Sequence, residues 1–468
     1  NAPTTAARSV AIVVADGARP DDVVGPIVQA VRALATCAVL TADGLDAALG
    51  RDGIAQTTLT DVGSLRVSQY LDELETAHDH IVYVGDATAT AWSRRVLQRA
   101  DTIVIIAPAN PTAAVAHAVD QLLDTCERSR APKWLALVDP LGQQRPTPGT
   151  SWASRQRFDE VHHLRSGDRS DLARLGRLSL GVGYGLVLGG GGARGFAHLG
   201  VLRALKESKV PIDRIGGASM GSIFGACAAL YQDLDEINEL CKQQFKRLLD
   251  YTIPVVSLLK AKRITANLTT VFSGLAVDDL WVPFHCVSTN LTRSQLHVHR
   301  DGELVTALRA SIAIPGVLPP VPFGDELLVD GGVLDNVPAD IMRADRSIGT
   351  VIASDVAPSA GPMVQQNYGM FLSGWQALRH PRTRRRDPMY PGVGSVLIRT
   401  MITGSEGRRA RMRTDGTVDL YLDLDLPGVG LLEFDRMTSI IDRGYSGARE
   451  LVSEWAATRP ALQAPAQV

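Results

Sequence analysis

The sequence predicts an α/β protein built from two consecutive domains. Short runs of β-branched residues alternate with amphipathic stretches from about residue 9 to residue 140, which indicates an open sheet with helices on both faces. A second unit of the same kind begins near residue 184 and continues towards the C-terminus. The length of 468 residues fits two or three domains of roughly 100–200 residues each.

The composition excludes several classes of protein. Hydrophobic residues make up 45% of the chain and charged residues 21%, as in ordinary globular proteins rather than disordered ones. The net charge of −2 provides no field that would recruit nucleic acid, so no nucleic-acid partner is expected. Five widely spaced cysteines without a C-x-x-C motif argue against a disulfide framework and fit a reducing compartment. No run of 18 apolar residues predicts a transmembrane helix.

The first domain is predicted to span residues 1–145 and to be Rossmann-like. Its predicted strands are Val10–Val14, Ala38–Thr41, Ile81–Val84, Thr102–Ala107 and Trp134–Val138. Its predicted helices are Asp22–Leu34, Leu65–Ala77, Trp92–Arg99 and Ala113–Cys126. The first strand is followed by neither G-x-x-x-x-G-K-[ST] nor G-x-G-x-x-G, so the domain lacks the usual phosphate-binding loop. We therefore predict a structural or regulatory role for it.

Residues 146–180 are predicted to connect the two domains. Pro146, Pro148 and Gly149 open this segment, and mixed charges over Arg155–Arg177 indicate a partly helical connector. The adjacent pair His162-His163 raises the question of a metal site. No third ligand follows at a helical or hairpin spacing, so we expect exposed polar residues and no bound metal.

A glycine-rich loop follows the first strand of the second domain. The strand Tyr184–Leu188 runs into G-G-G-G-A-R-G over 189–195, and a helical pattern follows over Phe196–Lys206. Glycines let backbone N–H groups approach a negative group closely at a helix N-terminus. Taken alone, the loop fits either a dinucleotide fingerprint, with Asp213 as the ribose-binding acid, or an oxyanion hole.

A second motif contains a candidate nucleophile. Gly217-Ala218-Ser219-Met220-Gly221 matches G-x-S-x-G and precedes a helical pattern over Ser222–Leu230. In such motifs the serine lies on a sharp strand-to-helix turn, where Gly217 and Gly221 keep side-chain bulk away. We therefore predict that Ser219 is a nucleophile that requires a base.

The best candidate for that base is an aspartate. The only histidine downstream of the best acid is His380, whose arginine-rich surroundings over Arg379–Arg386 disfavour a protonatable base. Asp330 instead follows the predicted strand Leu327–Val329 and precedes Gly331 and Gly332, which would let a serine approach. A dry pocket that raises the pKa of the carboxyl would make it a more effective base near neutral pH.

Together these motifs resemble those of the patatin-like phospholipases. The glycine loop with Arg194, the elbow at Ser219 and D-G-G at Asp330 occur in that family's order and spacing. Five further segments resemble its neuropathy-target-esterase type: Ala91–Arg95, Gln98–Asp101, Phe284–Thr292, Arg309–Pro320 and Asp335–Asp340. The resemblance covers about residues 9–355 and weakens afterwards.

The resemblance implies a fold and a domain assignment. It implies a three-layer α/β/α catalytic domain behind the Rossmann-like domain. The expected divisions are 1–145 for the first domain, 146–180 for the connector, 181–355 for the patatin-like core and 356–468 for a C-terminal extension that completes the catalytic domain. The extension includes an arginine-rich segment, 379–413, which can be either a solvated loop or a docking surface for anionic headgroups.

The resemblance also implies an activity. It implies a serine lipid acyl hydrolase that acts on phospholipids, lysophospholipids or simple esters through an acyl-enzyme, with Ser219 as nucleophile and Asp330 as base. The implied oxyanion hole consists of Gly190, Gly191, Gly192 and Arg194. It implies no cofactor, a cytoplasmic location, and transient association with the inner face of a membrane. Family members usually carry cyclic-nucleotide-binding modules upstream, and such a module would lie outside this chain, whose first residues include no Met and resemble an internal fragment.

Several alternatives remain open from the sequence. The protein could be a catalytically inactive patatin-fold regulator at the membrane surface, although a dead site would not need serine, aspartate and glycine loop together. A dinucleotide-dependent oxidoreductase would have no use for the elbow or for D-G-G. The segment Tyr251–Leu275 fits a lid, an interfacial helix or ordinary core packing. We expect His198 to brace the glycine loop, and His285, His297 and His299 to lie on sheet faces rather than bind a ligand.

Overall fold

The computed structural model describes residues 8–15, 20–58, 60–231, 233–245, 250–253, 255–358, 370–373, 393–431 and 433–459. The first domain contains a six-stranded parallel sheet in the order β2-β3-β1-β4-β5-β6. Its strands are β1 (Ser9–Val14), β2 (Cys37–Leu40), β3 (His80–Gly85), β4 (Thr102–Pro108), β5 (Lys133–Asp139) and β6 (Glu160–Arg165). Its helices are α1 (Pro20–Arg32), α2 (Ala42–Leu49), α3 (Ser64–Ala77), α4 (Ala91–Arg99), α5 (Ala113–Thr125) and α6 (Arg169–Ser179).

The five strands and four helices predicted for this domain are confirmed to within two residues at each end. Periodicity succeeds here because the parallel strands are buried on both faces and read as continuous apolar runs. The segment 146–180 differs from the predicted connector. It contains β6, the edge strand paired with β5, and α6, which packs so closely on α1 that a Cβ at Gly176 would lie 2.8 Å from Ile27.

The histidine pair of this segment is buried, which corrects the prediction of exposed side chains. His162 and His163 lie on β6 with exposures of 3% and 0%. His163 is placed between two buried carboxylates, with Nδ1 at 3.3 Å from Asp139 and Nε2 at 3.7 Å from Asp279 of the second domain. Burial opposes protonation, but the attraction of the two carboxylates, Asp139 and Asp279, outweighs it and raises the pKa of His163. In the described part of the chain, no cluster of three or more ligand-type side chains fits a metal ion.

The second domain contains an eight-stranded mixed sheet. Its main path has the order β11-β12-β9-β8-β7-β13-β14, and β10 pairs with β9 as a hairpin. The strands are β7 (Gly183–Leu188), β8 (Arg214–Ala218), β9 (Phe284–Asn290), β10 (Gln295–His299), β11 (Val321–Phe323), β12 (Glu326–Asp330), β13 (Ile348–Asp355) and β14 (Leu420–Asp423). The described helices are α7 (Ala197–Glu207), α8 (Met220–Leu230), α9 (Leu234–Gln244), α10 (Lys262–Phe272), α11 (Leu304–Ser311), α12 (Ala339–Arg343), α13 (Val393–Met412) and α14 (Met437–Ala457).

Alternate residues of the central strands pack into two different helical layers. Leu186 and Ile352 belong to the core that contains α7, α8 and α14, whereas Val187 belongs to the core on the opposite face with Met342 of α12. This second core also includes Leu178 of α6 and residues of the first sheet. The two domains therefore share a hydrophobic core rather than meeting only at a polar surface.

The C-terminal extension packs directly onto the helix that follows the glycine loop. Helices α7 and α14 cross at Gly200 and Gly444, where neither position has room for a side chain. A Cβ at Gly444 would lie 2.6 Å from the Cα of Ala197. Such close backbone approach requires glycine at the crossing.

Part of the arginine-rich segment also belongs to this extension. Arg408 on α13 pairs with Asp335 at 2.8 Å, and the buried Arg409 pairs with Asp355 at 2.5 Å. These arginines are committed to internal ion pairs and do not form an open docking surface. Residues 379–392 of the segment, including His380, lie outside the described residues.

Residues 139–165 of the first domain hold the end of α10 in the second. Arg145 donates to the carbonyl oxygens of Val271 at 2.7 Å and Ser273 at 3.4 Å, which satisfies backbone acceptors left open at the helix C-terminus. Arg155 pairs with Asp278 at 2.6 Å.

No helix within the described ranges has the length and hydropathy that crossing a bilayer would require.

Candidate active site

Ser219 lies on the sharp turn between β8 and α8 that the motif predicted. Its φ of 51° and ψ of −128° are outside the regions that L-residues normally occupy. A Cβ at Gly221 would overlap the carbonyl group of Leu188, so the turn can pass this close to β7 only with glycine there. The Ser219 N–H donates to Ser311 Oγ at 3.0 Å, and Ser222 Oγ donates to the Ser219 carbonyl at 2.6 Å. These bonds hold the strained residue in place.

Strand β9 brings the aspartate to the serine. Strand β8 runs parallel to β9 and ends with Ala218 opposite Val287, whereas β12 runs antiparallel and ends with Asp330 opposite Ser288. The carboxyl ends of β8 and β12 therefore lie on either side of β9, opposite two adjacent residues of that strand. The prediction that Asp330 lies at a strand end is confirmed, although the strand is antiparallel and not part of the parallel edge that the sequence suggested.

Ser219 and Asp330 form a buried hydrogen-bonded pair. Ser219 Oγ donates to Asp330 Oδ2 at 2.6 Å, and the Gly332 N–H donates to Asp330 Oδ1 at 2.8 Å. Asp330 is 1% exposed and Ser219 is 7% exposed. Burial raises the pKa of Asp330 to about 7, although the hydrogen bonds from Ser219 and Gly332 lower it. A carboxyl with this pKa is a much stronger base than one in water.

The glycine loop lies against the serine, and two of its predicted oxyanion donors already have backbone acceptors. A Cβ at Gly190 would lie 2.9 Å from Ser219 Cβ, so the loop is in contact with the elbow. The Gly190 N–H donates to the Asn336 carbonyl at 3.1 Å, and the Arg194 N–H donates to the Gly191 carbonyl at 3.1 Å. Both N–H groups therefore have acceptors within the folded protein, and the oxyanion hole stays a prediction. The N–H groups of Gly191 and Gly192 have no acceptor among the described residues.

Arg194 anchors the loop through its side chain. Arg194 is 5% exposed, and its guanidinium donates to the backbone carbonyls of Val356 at 2.7 Å and Ala357 at 3.5 Å, beyond the end of β13. Gly192 has a φ of +56° and faces the Leu431 carbonyl so closely that a Cβ could not be accommodated. The loop is therefore fixed from outside, and its residues Gly190, Gly191 and Gly192 line the pocket that contains Ser219.

His198 braces the same loop from behind, as predicted. It is fully buried on α7, and its Nε2 donates to the Gly189 carbonyl at 2.8 Å while Nδ1 accepts from Ser354 Oγ at 2.9 Å. Burial lowers the pKa of His198 to about 4, so the ring is neutral near pH 7. No contact joins it to Ser219 or Asp330.

Among the described residues, no other histidine of this domain makes a hydrogen bond to Ser219 or Asp330. His285 is buried on β9, where burial lowers its pKa to about 3, and His299 bonds with Ser288 Oγ at 2.8 Å. Asp213, the candidate ribose acid, is fully buried and accepts from Arg177 at 2.7 and 2.9 Å and from the Tyr184 N–H at 2.9 Å. Because this carboxylate is already paired, it is not free to bind the ribose of a dinucleotide.

Two functional positions were not identified as such from the sequence. Asn336 lines the pocket and is bonded to Gly190, and Ser311 at the end of α11 accepts from the Ser219 N–H. Both lie in segments whose resemblance to the family was noted, Asp335–Asp340 and Arg309–Pro320. That resemblance was the available signal, but it carried no indication of which atoms they would contact.

Ser219 and Asp330 open into an apolar pocket. The pocket has a volume of about 1300 Å³ including its open mouth, and α9 and α10 form much of its wall. Its apolar lining includes Ile223, Leu240, Phe245, Leu259, Ile264, Leu268, Val271, Phe272, Ile314, Val317, Leu318 and Phe434. The volume and lining suit a long hydrocarbon chain whose reactive carbonyl reaches Ser219.

Comparisons with known proteins agree with the geometry. The family described as "Patatin-like phospholipase" matches residues 186–343, and the family described as "Neuropathy Target Esterase family P-loop like domain" matches residues 26–177. The first match includes the elbow, the glycine loop and D-G-G. The second includes most of the first domain and the segment predicted to be a connector.

Curated relatives match over most of the chain. Patatin-like phospholipase domain-containing protein 7 of Mus musculus is 30% identical over 91% of this chain and 34% of its own length. Patatin-like phospholipase domain-containing protein 6 of Homo sapiens is 31% identical over 91% of this chain and 33% of its own length. Lysophospholipase NTE1 of Mycosarcoma maydis is 28% identical over 84% of this chain and 24% of its own length. The chain thus spans about a third or less of these relatives.

Among solved structures, VipD from Legionella pneumophila matches 58% of this chain and 67% of its own chain, with a TM-score of 0.32 and 14% identity, too slight a likeness to carry an argument. The family matches and the curated relatives confirm the resemblance and the predicted fold, a three-layer α/β/α catalytic domain preceded by a Rossmann-like domain. The chain thus contains a domain that matches the patatin-like phospholipase family over 186–343, preceded by one that matches the neuropathy target esterase family P-loop like domain over 26–177.

Proposed function

We propose that this chain is a serine lipid acyl hydrolase that works through a Ser219–Asp330 dyad and an acyl-enzyme intermediate. The observation that carries the proposal is the 2.6 Å hydrogen bond from Ser219 Oγ to Asp330 Oδ2 at the wall of an apolar pocket. A nucleophile and a base in direct contact beside a hydrocarbon-lined cavity suit hydrolysis of a lipid ester.

In the first step, Ser219 Oγ attacks the ester carbonyl carbon while Asp330 Oδ2 takes the hydroxyl proton. The carbonyl oxygen becomes an oxyanion, which the N–H groups of Gly191 and Gly192 are available to stabilise. Collapse of the tetrahedral intermediate breaks the bond to the alcohol, and Asp330 returns the proton to that leaving group. The acyl group remains esterified to Ser219.

In the second step, water attacks the acyl-enzyme. Asp330 accepts one proton from the water as its oxygen bonds to the acyl carbon, and the fatty acid leaves as Ser219 Oγ regains a proton. The same carboxyl thus serves as base and then as acid in each half of the cycle, which a pKa of about 7 favours. No histidine takes part in this scheme.

The proposed substrates are lysophospholipids, phospholipids or simple esters. The apolar pocket supports an acyl chain as the recognised part, and a relative carries the name lysophospholipase. We further propose that the enzyme acts in the cytoplasm, in transient contact with the inner face of a membrane. A cyclic-nucleotide-binding module outside this chain remains part of the proposal, because the relatives are about three times longer.

Labelling with a fluorophosphonate tests the dyad. The 468-residue chain should gain the mass of one phosphonyl group and hydrolyse a short-chain ester, whereas Ser219→Ala should do neither. Ser166→Ala, which removes an exposed serine hydroxyl in the first domain, is the matched control and should behave as the wild type. A wild-type chain that neither reacts with the probe nor hydrolyses esters would favour the inactive regulatory protein instead.

A further inference from the structure

A short hairpin beside the pocket exposes apolar side chains to solvent. Residues 250–260, here called the apolar hairpin, connect to the start of α10, and residue 254 lies outside the described residues. Ile253 and Val255 are 80% and 86% exposed, and Tyr251 and Val256 are exposed as well. Four such side chains within six residues form an apolar patch with no partner in the described part of the chain.

Backbone hydrogen bonds give the apolar hairpin a defined shape. Tyr251 and Leu259 form an antiparallel bridge, and the Thr252 N–H donates to the Leu258 carbonyl at 3.0 Å. Asp250 accepts from the N–H groups of Ala261 and Arg263, both at 3.1 Å, which caps the beginning of α10. The exposed side chains therefore lie at the tip of a closed hairpin.

The base of the apolar hairpin is part of the pocket wall. The Leu258 N–H donates to the Gly316 carbonyl at 2.9 Å, and the Leu259 N–H donates to the Val317 carbonyl at 3.0 Å. Leu259 and Val317 themselves line the cavity that contains Ser219. The tip that faces solvent and the wall that faces the acyl chain thus belong to one continuous piece of backbone.

Cationic side chains line a groove next to the apolar hairpin. Lys260 and Lys262 are exposed at its C-terminal end and line a shallow groove with Thr265 and Arg309. The nearest carboxylate on the hairpin, Asp250, is bonded to backbone N–H groups of α10. Exposed apolar side chains flanked by cations are complementary to the apolar interior and the phosphates of a phospholipid surface.

We propose that the apolar hairpin inserts into the boundary between headgroups and acyl chains of a phospholipid bilayer. This inference rests on the proposed function, because it gives the lipid hydrolase a route to its substrate. With the tip in the bilayer, the pocket wall that includes Leu259 lies at the surface. An acyl chain then moves from one apolar environment to another without crossing water.

Vesicle binding tests the proposal. Vesicles of phosphatidylcholine with a minority of phosphatidylglycerol are mixed with the chain and sedimented. The double variant Ile253→Ser, Val255→Ser should bind at least about tenfold more weakly, because each side chain loses much of its transfer free energy. Val62→Ser, Leu65→Ser is the matched control, since both side chains are exposed at the start of α3 in the first domain, and its binding should be unchanged.

Three results would overturn the inference. One is equal vesicle binding by the wild type and the Ile253, Val255 variant, and another is an equal loss in the Val62, Leu65 control. The third is a self-associating wild type that the hairpin variant converts to a monomer without any change in vesicle binding, because the hairpin would then be an interface between copies. Val255→Trp should show a blue-shifted emission with vesicles, and Val62→Trp should not.

The test separates this inference from the proposed function. Ser219→Ala should bind vesicles like the wild type, and the hairpin variant should retain full activity on a water-soluble short-chain ester. If vesicle binding depends on the hairpin but the chain has no esterase activity, the proposed function is refuted and the membrane-docking inference stands. If esterase activity is normal but vesicle binding does not depend on the hairpin, only the membrane-docking inference is refuted.

Discussion

Asn336 and Gly190 are joined by two hydrogen bonds that run in opposite directions. The Asn336 side-chain Nδ2 donates to the Gly190 carbonyl at 3.0 Å, and the Gly190 N–H donates to the Asn336 backbone carbonyl at 3.1 Å. Asn336 is six residues beyond Asp330, so this pairing ties the segment that carries the base to the loop that contacts the nucleophile.

Replacing Asn336 tests this connection. Asn336→Ala removes one of the two bonds, and we expect kcat to fall about tenfold to a hundredfold with little change in KM, because the loop stabilises charge that develops only in the transition state. Asn336→Asp should lose more, since a carboxylate would face the Gly190 carbonyl. Steady-state kinetics on a short-chain ester would measure both variants, and a rise in KM alone would argue for a substrate-binding role.

Replacing Arg194, which anchors the glycine loop from its other side, should also lower kcat. Because its guanidinium holds the carbonyls of Val356 and Ala357, Arg194→Ala should lower kcat more than it raises KM, by about tenfold or more. Arg203→Ala removes an exposed arginine from the neighbouring helix α7 and should leave both constants unchanged. An effect on KM alone would reassign Arg194 to substrate binding.

Asp330→Asn should abolish activity nearly as completely as Ser219→Ala. The amide keeps the shape of the carboxyl but cannot accept the serine proton, and the double variant should be hardly worse than either single one, because residues that act as a unit are not additive. In the wild type, kcat/KM should fall about tenfold per pH unit below a pKa of about 7, where Asp330 becomes protonated. A histidine variant at 198, 285 or 297 that loses as much activity without unfolding would contradict the dyad.

The same raised pKa predicts a pH-dependent cost in stability. The pKa of Asp330 is higher in the folded protein than in the unfolded chain, so its contribution favours the folded state at low pH and is lost as the pH rises through about 7. Asp330→Asn should therefore raise Tm relative to the wild type at pH 8 to 9 (about one to two units above that pKa), and the advantage should shrink steadily as the pH falls from about 7 towards about 4. Thermal unfolding of both proteins over that range is the measurement, and a constant difference would count against a buried, uncompensated carboxylate.

The crossing of α7 and α14 makes a prediction about stability alone. Gly444→Ala should destabilise the protein by about 2 kcal/mol, because the new methyl group would overlap Ala197. Gly407→Ala on α13 has open space around it and should be neutral or stabilising by up to about 1 kcal/mol. Chemical denaturation distinguishes the two, and equal effects would mean that the crossing is looser than the structure has it.

The regular elements of the first domain could be predicted because their signal is local. Strand β6 was missed for the opposite reason. Its sequence E-V-H-H-L-R reads as polar, and only Asp139 and Asp279, which come from β5 and from the second domain, make burial of His163 acceptable. Ion pairs between residues so far apart in sequence leave no periodic pattern.

In the candidate site, too, the features that carry a local motif could be predicted from the sequence, and those that depend on the folded backbone could not. Ser219 and Asp330 could be predicted because nucleophile, base and glycine loop each carry a short motif. The assignment of Gly190 and Arg194 as oxyanion donors could not be checked from sequence, because their N–H groups are used by Asn336 and Gly191 only once the loop is folded. Which donors remain free is a property of the assembled backbone.

Arg145 has a consequence for how long an acyl chain the pocket can hold. Its guanidinium fixes the last carbonyls of α10, and Val271 and Phe272 at that end of the helix are part of the pocket lining. This part of the pocket wall is thus held by a residue of the first domain, outside residues 186–343 that match the patatin family. Under the proposed function, substitutions at Arg145 of the first domain should therefore change the range of acyl-chain lengths that the pocket accepts.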